Sequence, residues 1–175
     1  QAIETMFEAA RLLKARADIH FVFIGVGAKR KWMETQQRDD GLDNVTLVDY
    51  LPRTRQMEFL NACDVSLISL VAGMTGAGVP SRTYNAMAAG KPVIALAEAN
   101  SELALVVMEE HIGWVVAPDQ PASLAEAITQ AAEQAGDLPG MGQRARAAAE
   151  EKYAPERIIQ SYRTLLAELG GANHA

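Results

Sequence analysis

The chain has 175 residues, with 22 acidic against 16 basic side chains, a formal net charge of −6 and a single cysteine, Cys63. An acidic chain without a basic stripe excludes a phosphate-backbone binder, so no nucleic-acid partner is expected. One thiol excludes an internal disulfide framework and suits a reducing, cytoplasmic compartment; nothing in these residues resembles a signal peptide, and no apolar run nears the ~20 residues of a membrane span.

The length suits one domain, residues 1–175, with a core of its own. Ile3, Met6, Phe7, Ala10 and Leu13 recur at helical spacing and predict a helix over about 1–16. Gln1 already lies inside that pattern, without a cap, so the chain reads as a piece of a longer protein that lacks its first strand. A strand His20–Ile24, a helix Lys29–Arg38, a strand Val45–Val48, a helix Arg53–Ala62 and a strand Val65–Leu70 are predicted next. A capped helix from Ser81, a strand Pro92–Leu96, a helix Glu102–Glu109 and a strand Gly113–Val116 follow. From there the pattern is wholly helical, over Ala122–Ala135, Met141–Lys152 and Pro155–Leu169. Strands alternating with helices imply parallel βαβ units, and continuous apolar strands imply a sheet covered on both faces. The expected fold is α/β: a Rossmann-like, doubly wound parallel sheet of about five or six strands with a helical C-terminal tail.

Ligands of open parallel sheets bind outside the carboxyl ends of the strands. The unusual features of this sequence fall in those loops: Gly25-Val26-Gly27-Ala28, Asp49-Tyr50-Leu51-Pro52, Ser69–Pro80 and Ala97–Ser101. The third is the most informative, because a glycine-rich loop ending in Gly78-Val79-Pro80 feeds a helix that starts at Ser81-Arg82 and stops at Gly90. Free N–H groups and the positive end of a helix dipole, with Arg82 beside them, make a site for a phosphate. The alternative is an ordinary Ser81 cap beside a solvent-facing arginine. Gly25 and Gly27 read equally as room for a nucleotide backbone and as turn packing. Tyr50, Leu51 and Pro52 read as a wall for a base or as a plain strand exit. Lys29, Arg30 and Lys31 read as solvated, and His20 and His111 as structural. Asp39-Asp40 lacks a strand-end setting for a divalent ion and no His/Cys cluster suits zinc, so neither a metal nor a cofactor is expected.

Several blocks in the right order resemble the C-terminal, donor-binding domain of retaining GT-B glycosyltransferases of family 4, from the first helix to about Leu169. They are Phe23-Ile24-Gly25-Val26-Gly27, Val45–Pro52, Leu60–Ile68 and Ala86-Met-Ala-Ala-Gly-Lys-Pro-Val-Ile-Ala95, with Ser101-Glu102 and Gly113–Pro118 following. The Val79-Pro-Ser-Arg82 form is similar to a subset acting on amino- or deoxy-sugars in surface-polysaccharide synthesis. The resemblance implies transfer of a sugar from a nucleotide diphosphate, UDP- or GDP-linked, to a glycan or lipid-linked acceptor. It implies that the nucleotide and diphosphate meet Gly25, Gly27, Leu51, Gly78, Val79, Pro80, Ser81, Arg82 and Asn85, and that Glu98 or Glu102 meets the donor sugar or ribose. Acceptor and catalytic groups would come from an N-terminal domain outside these residues, toward which the helix Pro155–Leu169 would pack; membrane association through that domain and homo-oligomerisation stay open. The family often carries two glutamates where this sequence has Ala77 and Asn85. A nucleotide-sugar 2-epimerase and a non-catalytic binding module are the rival readings.

Overall fold

The computed structural model describes residues 2–70, 73, 76 and 78–171. Helix α1 (Ala2–Leu12) opens the chain, followed by β1 (Phe21–Ile24), α2 (Arg30–Asp40) and β2 (Val45–Val48). Then come α3 (Gln56–Asn61), β3 (Ser66–Ser69), α4 (Ser81–Ala88), β4 (Val93–Leu96), α5 (Glu102–Glu109) and β5 (Gly113–Val116). Helices α6 (Pro121–Glu133), α7 (Leu138–Glu151) and α8 (Pro155–Gly171) form the tail. All the strand pairings are parallel, so the expected α/β fold is what the chain adopts.

The strands do not form one continuous sheet. Phe21 pairs with Val45 in a β1–β2 ladder, while Ser66 pairs with Val93 and Val93 with Gly113 in a β3–β4–β5 ladder. No ladder joins β1 to β3 among the described residues. The two pieces nonetheless share a core. Phe7, Phe21, Met33 and Val45 cluster with Ile94, Leu96, Val116 and Leu124 on the face covered by α1, α2 and α6. On the other face Ile68, Val93, Ala95 and Ala97 pack with Met87, Leu103, Val107 and Ala145 of α4, α5 and α7. Strand β4 thus buries alternate residues on opposite faces, as the strand period of two requires.

Local chemistry explains where elements stop. Pro52 holds its φ at −62° and its carbonyl accepts from Arg55 N–H at 2.9 Å, so the predicted helix at Arg53 begins as a tight 3-10 turn and becomes α-helical only at Gln56. At the end of α4, Gly90 sits at φ +69°, its N–H donating to Met87 O at 2.8 Å while Lys91 N–H donates to Ala86 O at 2.9 Å. This pairing satisfies two orphan carbonyls and needs the left-handed conformation that glycine reaches without strain. Ser101 caps α5, its side chain accepting from Ala104 N–H at 3.3 Å. Ser81, by contrast, is not the cap of α4: it is the first helical residue, and Pro80 holds the cap position without a side-chain acceptor. No helix among the described residues is long and apolar enough to cross a membrane.

Candidate functional site

The carboxyl ends of β1 and β2 are tied together by one side chain. Arg30, in the first turn of α2, donates from Nη1 to Val48 O at 2.9 Å and Gly25 O at 3.3 Å, and from Nη2 to Asp49 Oδ1 at 3.0 Å. Arg30 is therefore a clamp on two strand ends and not the solvated residue its neighbours suggest. Lys29 is also engaged, pairing with Glu4 and lying 5.8 Å from the Trp32 ring centre. The ammonium of Lys29 holds the Glu4 carboxyl down at about 2. His20 bonds Thr46 Oγ1 at 2.7 Å, the His111 carbonyl accepts from Arg144, and neither histidine lines the pocket described below.

Gly25 needs its residue type, because its φ is +122°. Gly27 does not: its backbone has no such requirement and a Cβ there would meet nothing within 4 Å. Gly73, Gly76 and Gly78 take φ values of +79°, +85° and +88°, also facing open space. Ala77 lies outside the described residues. The exposed Gly78 and half-buried Val79 and Pro80 lead into Ser81 at the start of α4. With proline at the cap position the cap residue offers no side-chain acceptor, and among the described residues the first-turn Thr83 N–H donates to Pro80 O at 2.9 Å. Arg82 is exposed and makes no ion pair or side-chain hydrogen bond with a described residue.

These pieces meet at a pocket of about 350 Å³. It brings together Gly25 from β1, Leu51 with Tyr50 from the β2 exit, and Arg82 and Asn85 from successive turns of α4. Gly27, Gly78, Val79, Pro80 and Ser81 lie outside its wall, as do Glu98 and Glu102. Glu98 is exposed after β4, where its carbonyl accepts from Ser101 N–H at 2.9 Å. Glu102 is exposed in the first turn of α5, and after burial its charge is what raises the pKa of Tyr84. Sequence reasoning missed the α3 wall, Gln56, Phe59 and Leu60. A short amphipathic turn carries no chemical motif, so only the pattern Phe59-Leu60 hints at it.

Residues 1–152 match the family described as Glycosyl transferases group 1. The chain belongs to this family. It is 34% identical over 172 residues to the probable glycosyltransferase WbjE of Pseudomonas aeruginosa, covering 96% of this chain and 42% of that protein. The chain therefore spans less than half the length of that curated relative. Among solved structures it is similar to a mutant form of S. aureus TarM in complex with fondaparinux, α-GlcNAc-glycerol and UDP. That match has a TM-score of 0.75 at 20% identity over 93% of this chain and 32% of TarM. It is also similar to Anabaena HepE in complex with UDP-glucose, with a TM-score of 0.73 at 19% identity over 94% of this chain and 44% of HepE. These likenesses show that the group 1 domain has the GT-B fold.

Proposed function

We propose that this group 1 domain binds the nucleotide diphosphate of a sugar donor, UDP- or GDP-linked, as the donor half of a retaining glycosyltransferase. The single observation that carries the reading is the convergence of Arg82, Asn85, Leu51 and Gly25 on one pocket at the carboxyl ends of the strands. The base lies against Tyr50 and Leu51. The diphosphate meets Arg82 and the first-turn amides of Ser81 and Arg82, with the Gly78-Val79-Pro80 loop over it. A helix N-terminus and a guanidinium stabilise the charge that develops on the diphosphate as the sugar leaves. Gly27 leaves room for the backbone to approach the ligand, and Glu98 and Glu102 serve the sugar or ribose hydroxyls. The acceptor, glycan or lipid-linked, and the catalytic groups belong to an N-terminal domain, so residues 1–175 alone bind nucleotide and transfer little or no sugar in a cytoplasmic setting. Docking of α8 against that domain follows from its exposed Ile158, Ile159, Tyr162, Leu165 and Leu166.

Calorimetric titration with UDP, GDP and their sugar conjugates tests the reading. Saturable binding of one nucleotide, weakened by about tenfold or more in Arg82→Ala, is the expected result. Equal binding by the variant would remove the diphosphate from the α4 terminus. Asn85 favours a second reading, a pocket that holds nucleotide without turning it over, since an amide replaces a carboxylate there. A full-length protein that binds donor but neither transfers nor hydrolyses it would establish that reading.

A further inference from the structure

We infer that Tyr153 is a positioning residue for the donor site: through its ring contact with Tyr84 it sets the start of α4, and so links Arg82 to the root of α8. The inference rests on the reading of Arg82 as a diphosphate ligand. Helix α4 presents two faces. Arg82 and Asn85, three residues apart, line the pocket on one of them. Tyr84 leaves the helix elsewhere and packs, with Tyr153, against the core shared by α4, α5 and α7. The two rings lie 5.1 Å apart between centres at a tilt of 43°, a separation at which aromatic pairs attract.

The start of α4 has few other ties. Gly76 and Gly78 lead toward it at φ +85° and +88°, facing open space, and Pro80 at the cap position has no side-chain acceptor. Thr83 is fully buried, yet its Oγ1 has no hydrogen-bond partner among the described residues. The other end of the helix is fixed by backbone contact. Gly90, just past α4, lies so near α7 that a Cβ on Gly142 would stand 2.2 Å from Gly90 O. A helix of eight residues pinned at its stop can swing only about that stop, so the contact nearest its start decides where Arg82 sits.

Tyr153 is also the foot of α8. Every residue from Pro155 to Leu169 is exposed, so α8 is carried by the bend at 152–154. Two side chains fasten that bend to the end of α5. Lys152 Nζ bonds both Glu110 carboxylate oxygens, at 2.9 and 2.8 Å, and the Tyr153 hydroxyl donates to Glu110 Oε1 at 3.2 Å. The Glu110 side chain is only 10% exposed, and partial exclusion of water strengthens its hold on both donors. The polar end of Tyr153 is thus committed to α5 while its ring bears on α4. A shift at the root of α8 moves that ring, and Tyr84 carries the movement to the first turn of α4. Donor affinity thereby depends on how α8 is seated.

Calorimetric titration of the full-length polypeptide with UDP and GDP tests the link. Tyr153→Leu keeps apolar bulk but removes the ring, and should weaken binding of the favoured nucleotide by about fivefold. Tyr153→Phe, which restores the ring without the hydroxyl, should bind within about twofold of the unchanged protein. Tyr84→Leu reads the same contact from α4, and serves alone if Tyr153→Leu does not fold. Its loss should match that of Tyr153→Leu, and the double leucine variant should lose no more than either single one. Undiminished affinity in a folded leucine variant, beside lost affinity in Arg82→Ala, would overturn the link and leave the Arg82 site standing. So would losses that add in the double variant, since the two rings would then act separately. Undiminished affinity in Arg82→Ala would remove the site and the link together.

Discussion

The β3–β4–β5 half and the β1–β2 half are built from the same strand–helix alternation, yet they bury it differently. Every residue of β4 is buried, with helices on both faces, whereas β1 alternates and leaves Val22 and Ile24 in solvent. Contacts in the first half are close enough to dictate residue type. A Cβ on Gly113 would stand 1.8 Å from Val93 O, and one on Gly142 of α7 would stand 2.2 Å from Gly90 O. In the second half the glycines past β1 face open space, and polar ties such as Arg30 and the Glu4–Lys29 pair add to its core packing. One half is packed on both faces of its sheet; the other is packed through Phe7, Phe21, Met33 and Val45 and tied by hydrogen bonds at its strand ends. The candidate pocket opens where they join.

The largest effect that sharpens this contrast is Gly113→Ala. The backbone of β4 must move to admit the methyl group, so a loss of roughly 3 kcal/mol or more is expected in chemical denaturation. Gly27→Ala, the counterpart in the open half, should stay within about 0.5 kcal/mol. A similar cost at both sites would break the comparison.

Arg30→Ala should come next, at about 2 kcal/mol, because three carbonyl or carboxylate partners at the strand ends lose a charged donor. Arg82→Ala should leave the unfolding midpoint almost unchanged and act on ligand binding instead. Two arginines on one rim would then separate into a structural and a binding role. An Arg30→Ala variant of undiminished stability would show that the tie is incidental.

The smallest effect distinguishes the halves by pH. Burial and the nearby Glu110 push Tyr153 up from 10.0 to about 12, where its ring also packs at a tilt against Tyr84, 5.1 Å between centres. The folded state holds that proton more tightly, so its contribution is complete below pH 10 and lost as the pH rises through about 12. Glu4 moves the other way, from 4.5 to about 2, so its contribution is present above pH 4.5 and lost as the pH falls through about 2. Thermal melts against pH should show an alkaline loss of about 1 kcal/mol, flattened in Tyr153→Phe, and an acid loss of only about 0.3 kcal/mol removed in Glu4→Gln. An alkaline limb that persists in Tyr153→Phe would assign that loss to another group.

Much of the architecture was legible in the residues themselves. Helical periodicity at Met6, Phe7 and Ala10 placed α1, the apolar run Val93–Leu96 placed a buried strand, and Gly90 marked the stop of α4, because each signal is local. The rim loops were legible too, since parallel topology sends ligands to the strand ends. The role of Arg30 was not, because its partners at Gly25, Val48 and Asp49 come together only when β1 and β2 pair. Nor was the α3 wall, whose Gln56 and Phe59 carry no motif.

The sequence by itself determined the alternation of elements, the parallel class and the order of the family's blocks, since periodicity, turn residues and short motifs are properties of neighbours along the chain. Only the tertiary structure decided that the sheet is split between β1 and β3, that Pro80 and not Ser81 holds the cap position of α4, and that Arg82 and Asn85 share a pocket with Leu51. Those facts depend on which distant segments lie side by side. Strand pairing and helix packing settle that through the burial of one shared core, which no local pattern encodes.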